Sequence, residues 1–335
     1  MASPIRVLMT GDDLETPAAC VLAPLGAILE TMSGPIDRAR MIATLAEKPF
    51  DAILVRANPP LDVTVLDAAG PSLAMISKMG AGVDSVDLAA ATQRNITVMT
   101  AGDANADATA EMAIALILSL RRDVVRLDAR LKAGIWDRGP YRATELRGQT
   151  LGIVGLGRIG RRVGEMARAL GMKVVASGRP GAVASAQGGF AILPLDQLLA
   201  ESDIVSLHCP MDASNRGFLN RDAIARMRPG ALLVNTARGG LLHEADVAEA
   251  LVSGRLGGAA LDTLAVEPAL AENPLLTAPN TIITPHIAAE TEATIERIAV
   301  MGAENVVNWF SRREILVDRL VNRAVLPRLK DVSIL

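Results

Sequence analysis

Short apolar runs rich in β-branched residues alternate with longer segments of mixed polarity, and this alternation predicts strands separated by helices. A long helical stretch is predicted over residues 105–132, where apolar positions recur with helical spacing. This stretch separates two series of predicted strands. The first covers residues 6–9, 52–55, 73–77 and 96–99, and the second covers 150–154, 173–176, 203–207, 231–235, 258–261 and 281–284. Such alternation is typical of parallel sheets covered by helices.

The length of the chain, 335 residues, exceeds what one hydrophobic core usually supports, so two domains are expected. A final helix is predicted over about residues 291–310, after the last strand of the second series. If it packs back on the first domain, the chain crosses between the domains near Asp103 and near Ile287. The predicted domains are then residues 1–103 with 287–335, and residues 104–286.

Composition and charge argue against several partners and locations. The net charge of −3 and the aromatic content of 2% provide neither a basic face nor stacking rings for nucleic acid. No apolar run approaches the roughly 18 residues that span a bilayer, and the N-terminus lacks a secretory signal pattern. Cys20 and Cys209 are too few for a disulfide framework. We therefore expect a cytoplasmic protein that binds no nucleic acid, membrane or metal.

A glycine-rich turn lies between the predicted strand at 150–154 and a predicted helix at 158–170, and it reads Gly155-Leu156-Gly157-Arg158-Ile159-Gly160. This context is the one that the dinucleotide fingerprint requires. The first glycine permits the turn, the second lets backbone amides approach a pyrophosphate, and the third allows close helix packing. The alternative is a tight turn without a ligand.

The end of the next predicted strand indicates which dinucleotide is bound. NAD-binding folds place an acid about 20 residues beyond the turn to accept a ribose hydroxyl, but this chain has Ser177, Gly178, Arg179 and Pro180 there. An NADP 2′-phosphate would be attracted by a guanidinium and repelled by a carboxylate. We therefore expect NADP(H) to be preferred, with NAD(H) possible. The alternative is an ordinary solvated turn with an incidental arginine.

Three further residues, Arg238, Glu267 and His286, lie at predicted strand ends or in loops, and each belongs to a short, distinctive sequence segment. A guanidinium can grip a carboxylate, an imidazole can move a proton, and a carboxylate can tune the imidazole. Sites in open α/β sheets form at the carboxyl ends of strands. Next to a dinucleotide turn, the three residues indicate hydride transfer at a 2-oxo or 2-hydroxy acid.

Four motifs occur in one order along the chain: the glycine turn, residues 235–240, residues 267–268 and residues 284–288. Together they resemble the D-isomer-specific 2-hydroxyacid dehydrogenase family. The resemblance implies an α/β fold of two doubly wound parallel sheets. A Rossmann cofactor domain, residues 104–286, would be inserted in a flavodoxin-like substrate-binding domain, residues 1–103 with 287–335, and the active site would lie between them.

The resemblance also implies roles for individual residues. Arg238 corresponds to the arginine that binds the substrate carboxylate and carbonyl, His286 to the acid that protonates the carbonyl oxygen, and Glu267 to the partner that stabilises the imidazolium. The loop over 79–84 resembles the one whose amides, at Ala81 and Gly82, hold the substrate carboxylate, with a plain strand-to-helix turn as the alternative. Arg56 adds positive charge there or has a structural role.

Further positions match cofactor contacts of the family. Asp262 matches an aspartate at the nicotinamide amide, with a buried cap as the alternative, and Thr236, Cys209 and Pro210 match positions that line the nicotinamide ribose. Cys209 and His208 are poor candidates for a nucleophilic pair, because adjacent strand residues point to opposite faces. His208 and His243 are expected to be structural or surface residues.

The expected activity is reduction of a small 2-oxo acid such as glyoxylate or hydroxypyruvate to a D-2-hydroxy acid. The formate-oxidising branch is disfavoured because it has glutamine where Glu267 stands, and the phosphoglycerate branch because the chain ends soon after the last helix. Glu290 departs from the serine of many members. The alternative from another class is a dinucleotide-sensing, corepressor-like binding protein. A homodimer is expected through the 105–132 stretch and residues 136–147, where Trp136 reaches into the partner or into its own core.

Overall fold

The computed structural model describes residues 4–56, 59–136, 138–139, 141–178 and 189–335. The chain forms two compact units, residues 1–105 with 291–335 and residues 106–290. The first part of the first unit consists of the following elements: β1 Arg6–Thr10, α1 Glu15–Leu22, β2 Ile28–Met32, α2 Arg38–Glu47, β3 Ala52–Val55, α3 Val63–Ala69, β4 Met75–Lys78, α4 Leu88–Gln93 and β5 Thr97–Thr100.

The second unit begins with two helices and continues as alternating strands and helices. Its elements are α5 Ala106–Arg121, α6 Val124–Lys132, β6 Thr150–Val154, α7 Arg158–Ala169, β7 Lys173–Ser177, β8 Ala191–Ile192, α8 Leu195–Glu201, β9 Ile204–Leu207, α9 Arg221–Arg226, β10 Ala231–Asn235, α10 Glu244–Val252, β11 Leu256–Leu261 and β12 Thr281–Ile283. The chain then returns to the first unit with α11 Glu292–Val307, β13 Glu314–Ile315 and β14 Ser333–Ile334.

The first unit is a parallel sheet in the order β2-β1-β3-β4-β5, the flavodoxin-like order. Its central strands are buried on both faces, as β1 shows: Val7 and Met9 share one core with α1 and α11, while Leu8 points into the other. Asp37, Asp62 and Asp87 start α2, α3 and α4 by accepting hydrogen bonds from backbone N–H groups of the first helical turn.

The second unit is a parallel sheet in the order β12-β11-β10-β9-β6-β7-β8, which is the Rossmann order. The strand order reverses between β6 and β9, so the crevice for a ligand is expected at the carboxyl ends of these two strands. Helices α5 and α7 cover one face, where they pack against Leu151 and Ile153 of β6. Helices α8, α9 and α10 cover the other face. Two doubly wound parallel sheets confirm the predicted fold class.

The predicted strands match the observed ones to within about two residues, and the unit boundaries fall two to four residues from the predicted domain boundaries. The pattern missed β2 and the two-residue strands β8, β13 and β14. The helical stretch over 105–132 is broken at Asp123, which has a left-handed φ of 55°, into α5 and α6. Aspartate tolerates this conformation better than most residues, and its carboxylate accepts hydrogen bonds from Arg126.

None of the helices in the described part of the chain combines the length and the apolar character that crossing a membrane requires.

Candidate active site

The glycine turn follows β6 and begins α7, as the sequence predicts. A Cβ atom at Gly155 would lie 2.5 Å from the backbone nitrogen of Cys209, and one at Gly160 would lie 2.2 Å from the carbonyl oxygen of Gly155. Gly155 also has a φ of 101°, which favours glycine. The first and third glycines are therefore required by close backbone packing inside the protein.

Gly157 differs from Gly155 and Gly160 because a Cβ atom there would meet no atom within 4 Å. It is exposed and immediately precedes α7, and no side chain caps the first turn of that helix. The open space and the first N–H groups of a twelve-residue helix together form a cradle for an anion. The residues present therefore fit the pyrophosphate of a dinucleotide, with Arg158 and Ile159 on the same first turn.

Alanine substitutions should separate the two kinds of glycine. Gly157→Ala is expected to leave the melting temperature within about 1 °C of wild type, yet to raise the Kd for NADPH about tenfold or more, because the added methyl occupies the pyrophosphate approach. Gly160→Ala is expected to lower stability by about 1–3 kcal/mol through overpacking. Fluorescence titration and thermal melting would check this. Unchanged NADPH affinity of the Gly157 variant would contradict it.

The end of β7 is the position expected to select between NAD and NADP. Ser177 is buried, and its carbonyl oxygen accepts a hydrogen bond from the backbone N–H of Gly155 at 2.9 Å, which joins this strand end to the glycine turn. Gly178 is exposed. Arg179, the predicted 2′-phosphate ligand, lies outside the described residues, so its role stays a prediction.

Ten buried side-chain polar atoms have no hydrogen-bond partner among the described residues, and three of them lie close in sequence to the carboxyl ends of sheet strands: Thr236 Oγ1, Thr263 Oγ1 and His208 Nδ1. They follow β10, β11 and β9, which are consecutive in the sheet, and β9 borders the strand-order reversal. Buried polar groups are nearly always paired, so orphaned atoms of this kind suit a ligand that supplies the partners. The sheet edge is where the nicotinamide end of a dinucleotide is expected, and the contact of Thr236 with it stays a prediction.

His208 and Cys209 do not form a catalytic pair. The Nε2 atom of His208 is 2.8 Å from Ser206 Oγ, on the same face of β9, and burial lowers the pKa of His208 to about 4. Burial also raises the pKa of the Cys209 thiol, so it is not a thiolate at neutral pH. Pro210 is exposed, and its carbonyl oxygen accepts a hydrogen bond from Asn215.

His286 and Glu267 are joined by a hydrogen bond of 2.7 Å between Nδ1 and Oε2. Since an ionised carboxylate only accepts hydrogen bonds, Nδ1 donates and Nε2 is left for another partner. The second carboxylate oxygen of Glu267 accepts from the backbone N–H of Leu264 at 3.0 Å. Both side chains are well exposed, at 50% and 39%, so this pair is open to a small molecule.

Asp262 shapes the turn that carries His286. Its carboxylate, in a residue only 1% exposed, accepts from Thr284 Oγ1 at 2.6 Å and from the backbone N–H groups of Ile287 and Ala288 at 3.0 and 2.9 Å. His286 has a left-handed φ of 54° and donates its backbone N–H to the Asp262 carbonyl oxygen. These are the contacts of a buried cap, while the predicted nicotinamide contact remains a proposal.

Arg238 lies half-buried just after β10, in a loop fixed by Asn235. The buried amide of Asn235 donates to the Arg238 carbonyl oxygen at 2.9 Å and accepts from the N–H of Ala237 at 3.0 Å. A Cβ atom at Gly239 would lie 1.9 Å from the carbonyl carbon of Leu264. The loop that follows Arg238 therefore packs directly on the loop that carries Glu267.

The remaining predicted residues belong to the first unit. Ala81 is exposed and Gly82 half-buried, in the loop after β4. Arg56 follows β3 and forms an ion pair with Asp13 at 2.5 Å, so it has a structural contact there. Their contribution to substrate binding stays a prediction. Glu290, in the second unit, is exposed at the end of the His286 turn, where its backbone N–H donates to the carbonyl oxygen of Ile287 at 2.9 Å.

Sequence reasoning missed two residues of this site, Asn235 and Thr263. A polar residue that ends an apolar strand, as Asn235 does, is a signal that could have found the first. Thr263 directly follows Asp262 in a polar pair after β11, but only the fold shows that its hydroxyl is buried.

Comparison with known proteins places the chain in a family. Residues 114–288 match the model for the NAD-binding domain of D-isomer-specific 2-hydroxyacid dehydrogenases. The D-3-phosphoglycerate dehydrogenase of Mycobacterium leprae is 38% identical over 305 residues, 90% of this chain and 56% of its own length. The hydroxypyruvate reductase of Thermotoga maritima is 35% identical over 280 residues, 83% of this chain and 90% of its own.

The crystal structure of a glyoxylate reductase from Paecilomyes thermophila has the same fold, with a TM-score of 0.88 at 29% identity, covering 96% of this chain and 99% of the other. The chain spans a little over half the length of the mycobacterial relative. The family model covers the glycine turn, the Arg238 loop and His286. The chain belongs to the D-isomer-specific 2-hydroxyacid dehydrogenase family, a family of NAD-binding oxidoreductases.

Proposed function

We propose that this protein uses a reduced nicotinamide dinucleotide to convert a small 2-oxo acid into the D-2-hydroxy acid. The observation that carries the proposal is the hydrogen bond between His286 and Glu267, at the carboxyl edge of the Rossmann sheet. It leaves Nε2 of the imidazole for a substrate oxygen, on a sheet edge that also holds the glycine turn and Arg238. A 2-oxo acid reductase needs an acid–base pair, a cation that binds the substrate carboxylate, and a binding site for the dinucleotide.

Each of the three polar residues has a separate task in this reaction. A reduced nicotinamide ring, when bound, supplies the hydride. His286 donates the proton of Nε2 to the carbonyl oxygen, and Glu267 stabilises the imidazolium that holds this proton beforehand. Arg238 binds the substrate carboxylate, because its planar fork of N–H donors matches two carboxylate oxygens. In the reverse direction, the neutral imidazole takes the hydroxyl proton.

NADPH is the proposed dinucleotide, because β7 ends at Ser177 and is followed by Gly178, without the acid that would repel a 2′-phosphate. Arg179→Ala is expected to lower kcat/KM with NADPH about 10-fold to 100-fold and to change kcat/KM with NADH less than about twofold, since one charge-assisted contact is lost. Steady-state kinetics with both dinucleotides would check this. A wild type that prefers NADH, with no effect of the substitution, would contradict the proposal.

Glyoxylate and hydroxypyruvate are the proposed substrates, supported by the hydroxypyruvate reductase and glyoxylate reductase among the relatives. Oxidation of 3-phosphoglycerate is a second candidate, supported by the mycobacterial relative. A phosphate would need additional positive charge. The first unit carries Arg56 and the buried Lys78 at the ends of the adjacent strands β3 and β4, where Lys78 pairs with Val55 in the sheet.

A substrate panel would separate these candidates. The purified protein would be assayed for NADPH and NADH oxidation with glyoxylate, hydroxypyruvate and pyruvate, and for NAD and NADP reduction with D-glycerate and 3-phosphoglycerate. We expect turnover of the short unphosphorylated acids. Preference for 3-phosphoglycerate, lost on Arg56→Ala, would favour the second candidate. Tight dinucleotide binding without turnover of any acid would instead support the corepressor-like alternative.

A homodimer is proposed from helix α6. This helix has no buried residue, and its apolar side chains Val124, Val125 and Leu131 are about half exposed. Trp136 is 78% exposed, so the alternative of a core position within its own chain is wrong. A monomer that leaves these side chains in water would be unusual.

Multi-angle light scattering should therefore give twice the mass of one chain, and Leu131→Glu should reduce it to one. Leu335→Glu, which changes an exposed leucine far from α6 in sequence, is the matched control. A monomeric wild type at all concentrations would remove the dimer proposal.

A further inference from the structure

We propose that Glu244 is a positioning residue for the Glu267–His286 pair, acting as a clamp on the loop that carries Glu267. This proposal rests on the proposed function, because it assigns Glu244 a task in the same site. Glu244 does not contact either residue of the pair through any hydrogen bond that the described residues show. Its effect would pass through the backbone of the loop between β11 and β12.

The two carboxylate oxygens of Glu244 bind the loop at two separate points. Oε1 accepts from the backbone N–H of Ala265 at 2.7 Å, and Oε2 accepts from the side-chain amide of Asn273 at 2.9 Å. The two attachment points lie on either side of Glu267 in the sequence. A single side chain therefore closes the segment that presents the Glu267 carboxylate, which limits the positions that this segment can adopt.

The first attachment point leads directly to the pair. Ala265 follows Leu264, whose backbone N–H holds Oε1 of Glu267 at 3.0 Å, while Oε2 of Glu267 holds His286. Leu264 also packs against the backbone of Gly239. A shift at Ala265 would thus move the donor that orients Glu267, and with it the imidazole ring.

Glu244 is held in place by a helix that is anchored in the core. Glu244 is the first residue of α10, whose Val247 and Leu251 are buried in the core of the second unit. A carboxylate in the first turn of a helix is also favoured by the helix dipole. A purely local role at the helix terminus is thus the competing explanation, and it would involve neither Ala265 nor Asn273.

In the contact between Glu244 and Asn273, the rest of the loop determines which side chain donates and which accepts. The Asn273 side-chain oxygen accepts from the backbone N–H of Leu275 at 3.0 Å, and Leu275 is fully buried. The amide of Asn273 therefore cannot turn over without losing this bond, so it presents a donor to residue 244. Since Ala265 N–H is also a donor, residue 244 must accept twice, which a carboxylate does and a glutamine amide does not.

Because donor and acceptor are fixed, the proposal can be tested by exchanging the carboxylate and the amide between positions 244 and 273. In Glu244→Gln, the amide oxygen can accept from Ala265, but the amide nitrogen then faces the amide nitrogen of Asn273. In Asn273→Asp, two carboxylates face each other. In the double variant Glu244→Gln/Asn273→Asp, the glutamine nitrogen donates to the new carboxylate, whose other oxygen still accepts from Leu275. All three bonds are restored, and the net charge equals that of the wild type.

We expect each single variant to lower kcat for the best 2-oxo acid about tenfold, and the double variant to return to within about threefold of wild type. KM for the dinucleotide should change less than about twofold in all of them, because the clamp does not touch the glycine turn. Glu249→Gln, which removes the same charge from the exposed side of α10 where Glu249 pairs with Arg221, is the control and should match wild type.

A second measurement does not depend on turnover. The chain has three histidines, so ¹⁵N-histidine NMR can follow the hydrogen-bonded Nδ1 proton of His286, assigned by its loss in His286→Asn. We expect this signal to weaken or broaden in both single variants and to return in the double variant. If the wild type reduces no 2-oxo acid, the proposed function fails while this signal still tests the clamp.

The proposal is overturned if Glu244→Gln leaves kcat and the Nδ1 signal unchanged. It is also overturned if the double variant is no better than the worse single variant, since a local helix-terminus role predicts no rescue from position 273. Melting curves of all variants show whether a loss of kcat reflects unfolding. A variant that unfolds at the assay temperature is replaced by Glu244→Asp, which keeps the charge and shortens the reach, and is expected to lose about threefold in kcat.

Discussion

Replacing His286 by asparagine is expected to lower kcat for 2-oxo acid reduction by about 10²-fold to 10⁴-fold, the usual contribution of a positioned general acid. The asparagine amide can still donate a hydrogen bond to the substrate oxygen but cannot transfer a proton to it. The half-exposed side chain of His286 and its Nδ1 bond to Glu267, which leaves Nε2 for the substrate, are the basis for this expectation. Binding of the dinucleotide should be unchanged, because the glycine turn is untouched.

The chain offers a matched control for this experiment. His243 also pairs with a carboxylate through Nδ1, at 3.0 Å from Asp246, but it lies exposed at the start of α10. His243→Asn should keep full activity, and asparagine is a good residue at a helix N-cap. Steady-state kinetics on both variants, with NADPH affinity measured by fluorescence, would decide. If His286→Asn keeps a near-normal kcat, the acid–base role of His286 is wrong.

The sequence predicted the strands of both sheets well because each central strand is buried on both faces. Strand β3 and the first four residues of β10 then appear as uninterrupted apolar runs, which are typical of strands in parallel sheets. The edge strand β2 was missed since only Met32 in it is buried. Its Glu30 instead pairs with Arg6 and Lys48, so the segment looks polar.

Helices α5 and α6 show a second limit of sequence patterns. Apolar spacing continues across residues 105–132, yet α5 buries seven residues and α6 buries none. The helical period is the same in both helices. The pattern shows only that one face of each helix is apolar, and it does not show which part of the protein, or of a partner, covers that face. The break at Asp123 is a local backbone choice that no glycine or proline marks in the sequence.

In the candidate site, sequence motifs found residues whose type is chemically distinctive, while contacts between distant residues could not be read from them. The bond between His286 and Glu267 spans 19 positions, and that between Glu244 and Ala265 spans 21. A glutamate in the first turn of a helix is common, so nothing in the sequence distinguishes Glu244 from any other. Only the packing of α10 beside the Glu267 loop gives it two partners.

Asp262 combines both situations, since the motif identified the residue and the structure assigns it contacts that the motif did not indicate. The sequence resemblance gave it a nicotinamide contact, with a buried cap as the alternative. The structure shows a carboxylate that accepts three hydrogen bonds from the segment 284–288. These two roles predict different behaviour of the protein without dinucleotide, and a substitution can therefore separate them.

Asp262→Ala is expected to destabilise the dinucleotide-free protein by about 3–5 kcal/mol, because charge-assisted bonds are lost and donors near the buried Ala288 are left unpaired. The melting temperature of the second unit should fall by about 10 °C, at roughly 2–4 °C per kcal/mol for a domain of this size. Asp262→Asn should lose less, since its amide oxygen can still serve Thr284 and Ile287 while its nitrogen cannot accept from Ala288.

Calorimetry without ligand, followed by kinetics at a temperature where the variants are folded, would distinguish the two roles of Asp262. Asp196→Ala, which removes an exposed carboxylate paired with Arg226, is the control and should change stability by less than about 0.5 kcal/mol. If Asp262 serves as a cap, the folded Asp262→Asn protein also loses kcat, because the turn at His286 relaxes. If the melting temperature is unchanged and only KM for the dinucleotide rises, the nicotinamide contact is its main role.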